Sequence, residues 1–130
     1  MTARELLKAA ISMVCLSPSD SEGTEDYAER APYLLASFLN RCAPLDRLYR
    51  RANALGTATA FDGVAFSLDD VFPLSAVFAT AATYYLAAML VLDENEEMSD
   101  RFFAMYADEL TSIRTSLPAA VEPILNKHKI

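Results

Sequence analysis

The longest apolar stretch of the chain is a run of 22 residues without a formal charge, between Asp70 and Asp93. At about 1.5 Å per residue, a helix of this length spans about 30 Å, which suits either a membrane crossing or a buried core helix. Pro73 and several Ser, Thr and Tyr dilute its hydrophobicity, and both flanks are acidic. A membrane helix usually has Lys or Arg on its cytoplasmic flank, and neither lies close by. We therefore predict a buried central helix over about 73–92.

Helical spacing of apolar residues also recurs at both ends of the chain. Thr2 and Glu5 have the spacing of a capping box, which predicts a first helix of about 14 residues. Ser99 or a neighbour begins another helix, and a short amphipathic tail follows Pro118. The inward face of that helix is predicted to consist of Phe102, Phe103, Met105, Tyr106, Leu110 and Ile113.

Between these ends, Thr24 is a predicted N-cap for a second helical region. Pro32 and Pro44 lie inside its apolar stripe, and each removes a backbone donor. The pattern is consistent with one bent helix or with two short helices over 25–55. Gly56 is the predicted stop signal, because glycine accepts the left-handed conformation that often ends a helix.

The segment after Gly56 has poor helix chemistry. Asp62 and Gly63 between short apolar runs favour a small β-hairpin near 58–66, or a plain loop. Ser67 with Asp70 three residues later predicts the cap of the central helix, with Pro73 in its first turn.

These elements predict an all-α fold, in which residues 1–130 form one domain. The expected architecture is a compact bundle of four to five helices around the central helix, with the hairpin as an optional addition. Apolar residues make up 53% of the chain, and the mean hydropathy is +0.16. That value suggests either a surface covered by self-association or by a partner, or an economical helical core. Cys15 and Cys42 have no C-x-x-C spacing and are expected to be reduced core thiols of a cytoplasmic protein.

The charge pattern limits the choice of partners. The net charge is −7, and residues 66–130 contain four basic and ten acidic side chains. Such a surface repels a phosphate backbone, so we predict no sequence-specific nucleic acid as a partner. The local exception is a cluster of Arg41, Arg47, Arg50 and Arg51. It is either a solvated or ion-paired helix face or a docking surface for an acidic protein partner or a neighbouring subunit.

No constellation of catalytic or metal-binding residues is evident in the sequence. His128 is the one histidine, and it lies too near the end of the sequence to serve as a general base in a shaped pocket. Two distant cysteines and this histidine are too few, and too widely spaced, to form a zinc site. The acidic run over 93–100 lacks the pattern of a calcium loop, and we interpret it as a solvated connector. A helical magnesium-dependent nucleotide hydrolase would need carboxylates on the central helix, which has none. We therefore expect no enzyme activity, cofactor, metal or small-molecule substrate.

Two adjacent tyrosines raise the possibility of an interface. Tyr84 and Tyr85 point about 100° apart on a helix, so both cannot face the core. One of them, Tyr84 in our assignment, is a candidate for a subunit or partner contact, where an aromatic ring with a polar tip is useful.

From Ser67 to Leu110 the chain carries an ordered set of motifs. They are S-L-D-D and a proline, then Y-Y-L-A-A-M-L, L-D-E-N-E-E and F-F-A-M-Y-A-D-E-L. This block resembles the small head–tail connector, or adaptor, proteins of tailed bacteriophages and prophages. The resemblance implies a non-enzymatic virion component, present in many copies as a ring between portal and tail. It further implies that the protein is in the bacterial cytoplasm during assembly and afterwards in the virion.

Ring assembly requires contacts between unlike surfaces of neighbouring copies. The candidate interface residues are Arg47, Arg50, Arg51, Tyr84, Asp93 and Glu94. In this hypothesis the arginines of one copy meet the acidic corner of the next, and the partners are the protein itself and the portal and tail proteins. The alternative hypothesis is a helical protein-binding or regulatory module of the bacterial cytoplasm.

Overall fold

The computed structural model describes residues 1–14, 24–57 and 61–118, and within these ranges it contains four α-helices and no strand. They are α1 (Ala3–Val14), α2 (Thr24–Ala52), α3 (Ala79–Leu90) and α4 (Glu96–Thr115), and a 3-10 turn over Ala76–Phe78 leads into α3. The predicted all-α bundle is therefore confirmed. Among the residues named above, Cys15, His128 and the tail after Pro118 lie outside the described residues.

The centre of the bundle is α3, as the uncharged run predicted. It packs most extensively against α4, then against α1 and α2, and residues on all of its sides are buried. Because Ala81, Ala82, Ala87 and Ala88 are small, neighbouring helices approach it closely. The ring of Phe38 from α2 lies 5.7 Å from that of Tyr85 and 6.1 Å from that of Tyr106, so aromatic side chains join α2, α3 and α4.

The central helix is shorter than predicted, because the preceding segment has a different role. Ser67 and Asp70 do not cap α3; instead, residues 68–72 cross the start of α1. The backbone N–H groups of Ala3 and Arg4 donate to the carbonyls of Asp70 and Leu68, at 3.0 and 2.9 Å. These carbonyls satisfy donors at the start of α1 that have no partner within the helix.

At the start of α1 the predicted capping box is present. The Thr2 N–H donates to Glu5 Oε1 at 3.2 Å, and the Glu5 N–H donates to Thr2 Oγ1 at 3.4 Å. The Thr2 hydroxyl also donates to Glu5 Oε1, at 3.3 Å. The bond from the Thr2 backbone N–H, and to a smaller extent the bond from its hydroxyl, lowers the pKa of Glu5, since both favour the charged carboxylate.

Of the two predicted alternatives for 25–55, one bent helix or two short helices, the structure has a single helix. This helix, α2, contains 29 residues, with Pro32 and Pro44 inside it. A continuous buried stripe, which includes Leu35, Phe38 and Cys42, runs between the two prolines and packs into the core. Tertiary packing of this stripe therefore outweighs the two missing donors. The Pro32 carbonyl also accepts a hydrogen bond from the Phe66 N–H, at 2.9 Å.

The predicted stop at Gly56 is wrong, because α2 ends at Ala52 and the left-handed residue is Ala54, with φ of 54°. The Leu55 N–H donates to the Arg50 carbonyl at 2.8 Å, and the Ala54 N–H donates to that of Arg51 at 3.4 Å. This pair of bonds is a Schellman motif with alanine in the position that usually holds glycine.

The start of α4 also differs from the prediction. Asn95 is the N-cap, and its Oδ1 accepts from the Met98 N–H at 3.0 Å. Ser99 lies in the first turn, fully buried, and its hydroxyl donates to the Ala88 carbonyl at 2.8 Å. Met105, predicted to face inward, is exposed, because it lies about 100° around α4 from buried Tyr106 and about 140° from buried Leu110.

A β-hairpin or a loop was predicted near 58–66. Residues 61–66 form a loop without a strand, and residues 58–60 lie outside the described part. Asn40 Nδ2 on α2 donates to the Gly63 carbonyl at 3.1 Å, which ties this loop to α2. None of the helices described is both long enough and apolar enough to cross a membrane.

Candidate functional site

The carboxyl end of α2 carries a basic cluster, formed by Arg47, Arg50 and Arg51. Together with Leu55, Gly56 and Thr57 these arginines line an open cleft of about 320 Å³. Arg47 and Arg51 are exposed, and no carboxylate in the described ranges lies within ion-pair distance of either. Their charges are therefore available to a partner.

Arg50 differs from its two neighbours, because its donors bind within the molecule. Its Nε donates to Asp46 Oδ2 at 2.9 Å, and its Nη1 and Nη2 donate to the carbonyls of Gly56 and Pro73 at 2.9 and 3.3 Å. Asp46 is only 1% exposed, and its Oδ1 accepts from the Ser75 N–H at 3.0 Å. Arg50, predicted as an interface residue, thus shapes the cleft by joining α2 to residues 56 and 73–75.

Asp46 is a site residue that was not predicted, although the sequence carries a signal for it. Asp46 follows Cys42 by four residues and Leu39 by seven, so it falls on the buried stripe of α2. A carboxylate at a core position with an arginine four residues later indicates a buried ion pair, since an unpaired buried charge is too costly.

The acidic corner between α3 and α4 forms a second charged cluster. Its exposed carboxylates belong to Asp93, Glu94, Glu96 and Glu97. Glu94 Oε2 accepts from the Tyr27 hydroxyl at 2.8 Å, and Arg30 Nη2 donates to the Met89 carbonyl at 3.1 Å. These two bonds hold the corner against the amino-terminal part of α2.

The two clusters therefore lie at opposite ends of α2. Tyr27, which contacts the acidic corner, and Arg50, in the basic cleft, are separated by about 35 Å along the helix at 1.5 Å per residue. The structure does not bring the predicted arginine and acidic residues together within one chain.

Tyr84 and Tyr85 differ in burial, although most adjacent residues of α3 are buried together. The Tyr85 ring is buried, and its hydroxyl donates to Ser37 Oγ at 3.1 Å. Tyr84 is half-buried, and its ring stacks on that of Phe102 with centroids 6.5 Å apart and planes at 24°. One side of Tyr84 thus belongs to the α3–α4 contact, and the remainder is accessible.

An apolar cleft of about 240 Å³, which the sequence did not indicate, lies near the start of α1. It is lined by Met1, Phe72, Leu74, Ala76 and Ala79, and exposed Val71 and Val77 are near in sequence to its lining. Arg50 of the basic cleft donates to the carbonyl of Pro73, which lies in the chain between Phe72 and Leu74 of the apolar cleft.

Among the described residues, no group of three or more His, Cys, Asp or Glu side chains is arranged to hold a metal ion. Burial raises the pKa of the Cys42 thiol to about 11. Burial, and to a smaller extent the neighbouring Cys42, raises the pKa of the Tyr106 hydroxyl to about 12. A thiol with such a pKa stays protonated near neutral pH and is a poor nucleophile.

The chain matches no protein-family model, and comparisons with curated proteins and with solved structures give no significant match.

Proposed function

We propose that this protein is a non-enzymatic structural subunit that assembles head to tail, of the head–tail connector class that residues 67–110 resemble. The observation that supports the proposal is the position of two oppositely charged clusters at opposite ends of α2. Contacts between unlike surfaces generate rings when the rotation closes and filaments when it does not. In this proposal the partners are further copies of the chain and the portal and tail proteins.

The basic cluster and the acidic corner are too far apart to pair within one chain, which favours pairing with another copy. About 35 Å is several times the Debye length of about 10 Å at 0.1 M salt, so salt screens the attraction between the two clusters within one chain and each cluster keeps its charge for a partner. A second copy in the same orientation brings the arginines of one molecule to the carboxylates of the next. A two-fold symmetric contact at either end would instead place like charges opposite each other.

The experiment is to measure assembly against protein and salt concentration, by light scattering and sedimentation velocity. We expect the wild-type chain to form species larger than a dimer at low salt and to dissociate as salt rises. The variant R47E/R51E should assemble roughly 10- to 100-fold more weakly, since surface charge pairs contribute about 0.2–1 kcal/mol each and reversal adds repulsion. Arg50 is left unchanged because it stabilises the fold.

The matched control is R41E/R114E, which alters two exposed arginines that do not line the basic cleft. Each pair of reversals takes the net charge from −7 to −11, because each substitution changes the charge by two units. If both double variants weaken assembly equally, the effect is one of net charge and the proposed contact is wrong.

The phage assignment has its own test, the sequence of the flanking genes. Portal, capsid and tail genes beside this one would support a connector, and genes of ordinary metabolism would contradict it. In the second case the helical protein-binding module becomes the better proposal. The apolar cleft over Met1, Phe72 and Leu74 is the observation that favours that candidate, since apolar clefts are common sites for partner side chains.

A further inference from the structure

We infer that a leucine pair forms the apolar centre of the head-to-tail contact, with Leu92 of one copy seated in the basic cleft beside Leu55 of the next. This inference rests on the proposed function, because it names the contact through which the copies assemble. It concerns two residues that the charge pattern alone did not single out.

Leu55 is the exposed apolar residue of the basic cleft. It is 48% exposed and follows the left-handed Ala54 in the Schellman motif at the end of α2. In this motif the residue at its position commonly packs against an apolar residue five positions earlier. That residue is Arg50, whose guanidinium binds Asp46, so Leu55 remains half exposed on the cleft wall.

Leu92 is the exposed apolar residue of the acidic corner, as Leu55 is of the basic cleft. It is 41% exposed, between buried Val91 and exposed Asp93. The corner is a tight turn, because the N–H groups of Glu94 and Asn95 both donate to the Val91 carbonyl, at 3.0 and 2.8 Å. Leu92 is thus presented from an ordered backbone, which lowers the entropy cost of binding.

The two leucines lie among charges of opposite sign. Arg47 and Arg51 line the cleft together with Leu55, and the exposed Asp93 and Glu94 follow Leu92 directly at the corner. Contact between the leucines therefore brings these arginines and carboxylates to the rim of the same interface. An apolar centre with a polar rim is the usual arrangement of a specific interface.

The experiment uses cysteine cross-linking between copies of the full chain that carry C15S, with buried Cys42 retained. One sample carries L55C and the other carries L92C, and they are oxidised with copper–phenanthroline alone and after mixing. A disulfide within one chain is excluded, because the two positions lie near opposite ends of α2 and cysteine Cα atoms must approach within about 7 Å. We expect a covalent dimer in the mixture at a yield at least about tenfold above that of either sample alone.

M105C replaces L92C in the control mixture, since Met105 is 42% exposed and lies on the outer side of α4. If wild-type chains assemble but the L55C and L92C mixture cross-links no more than this control, the leucine pair is refuted and the proposed function stands. If L92C cross-links to itself, the contact is two-fold symmetric and both proposals are wrong. If wild-type chains do not assemble at low salt, the proposed function fails first, in the scattering experiment.

Discussion

Two aspartate–arginine pairs on α2 have the same four-residue spacing but should differ strongly in their effect on stability. Asp46 and Arg50 are 1% and 21% exposed, with nitrogen and oxygen 2.9 Å apart. Asp26 and Arg30 are 66% and 35% exposed, and their closest atoms are 3.6 Å apart. Replacement of each aspartate by alanine compares a buried with an exposed pair on a single helix.

For Asp46→Ala we expect a loss of about 3 kcal/mol in the free energy of unfolding. Breaking a buried pair costs about 3–5 kcal/mol, and the lower end applies because Arg50 keeps the Gly56 and Pro73 carbonyls as acceptors. The Ser75 N–H also loses its acceptor, a cost of about 1–3 kcal/mol that overlaps with the first. For Asp26→Ala we expect at most about 0.5 kcal/mol.

The assay is urea unfolding followed by far-ultraviolet circular dichroism, with free energies from linear extrapolation. Domains are typically stable by about 5–15 kcal/mol, so Asp46→Ala should remain folded. Asp46→Asn should fall between the wild type and Asp46→Ala, since the amide oxygen still accepts from the Ser75 N–H. If Asp46→Ala and Asp26→Ala differ by less than about 1 kcal/mol, the buried pair does not hold residues 73–75 to α2, and the argument is refuted.

Three further predictions concern single positions. Ala54→Gly should stabilise the fold by about 0.5–1 kcal/mol in the same assay, because glycine adopts positive φ without strain; Gly56→Ala should not destabilise it, as a Cβ there meets nothing within 4 Å. Burial raises the pKa of Cys42 from 9.0 to about 11, so the buried thiol contributes stability below pH 9 that is lost as pH rises toward 11. Cys42→Ala should therefore lose less unfolding free energy than the wild type between pH 9 and 11. An equal loss in both proteins would show that ionisation of Cys42 is not its source. Glu5 has a lowered pKa, so the stability advantage of the wild type over Glu5→Gln should be present above pH 4.5 and disappear as pH falls below it; an advantage that persists in acid would show that the carboxylate is not its source.

The elements predicted correctly are those that local patterns determine. The uncharged run identified α3 as the core, and Thr2 with Glu5 identified the start of α1, because both signals lie within a few residues. The start of α3 was wrong because residues 68–72 bond to residues 1–4, and no local pattern encodes a partner more than 60 residues away. Likewise Ser67 had the sequence of a helix cap, yet its hydroxyl accepts from the Asp69 N–H within a turn.

The candidate site was predictable in composition but not in arrangement. The arginine cluster and the acidic corner were visible as charge runs, and their placement at opposite ends of α2 required the packing of Tyr27 against Glu94. The distinct role of Arg50 depends on the burial of Asp46, which is set by how α2 rotates against the core. The apolar cleft joins Met1 to residues 72–79, two segments that only tertiary contact brings together.

The hydrogen bonds between residues 1–4 and 68–72 have a consequence for synthesis on the ribosome. The apolar face of α1, which includes Leu6, Leu7 and Ala10, packs mainly against α3. At about 5–20 residues per second, roughly 3–11 s pass between completion of α1 and emergence of residue 68, and α3 follows later still. During that interval α1 has neither its N-terminal acceptors nor its main packing partner, so it forms stably only when residues 68–90 have been made.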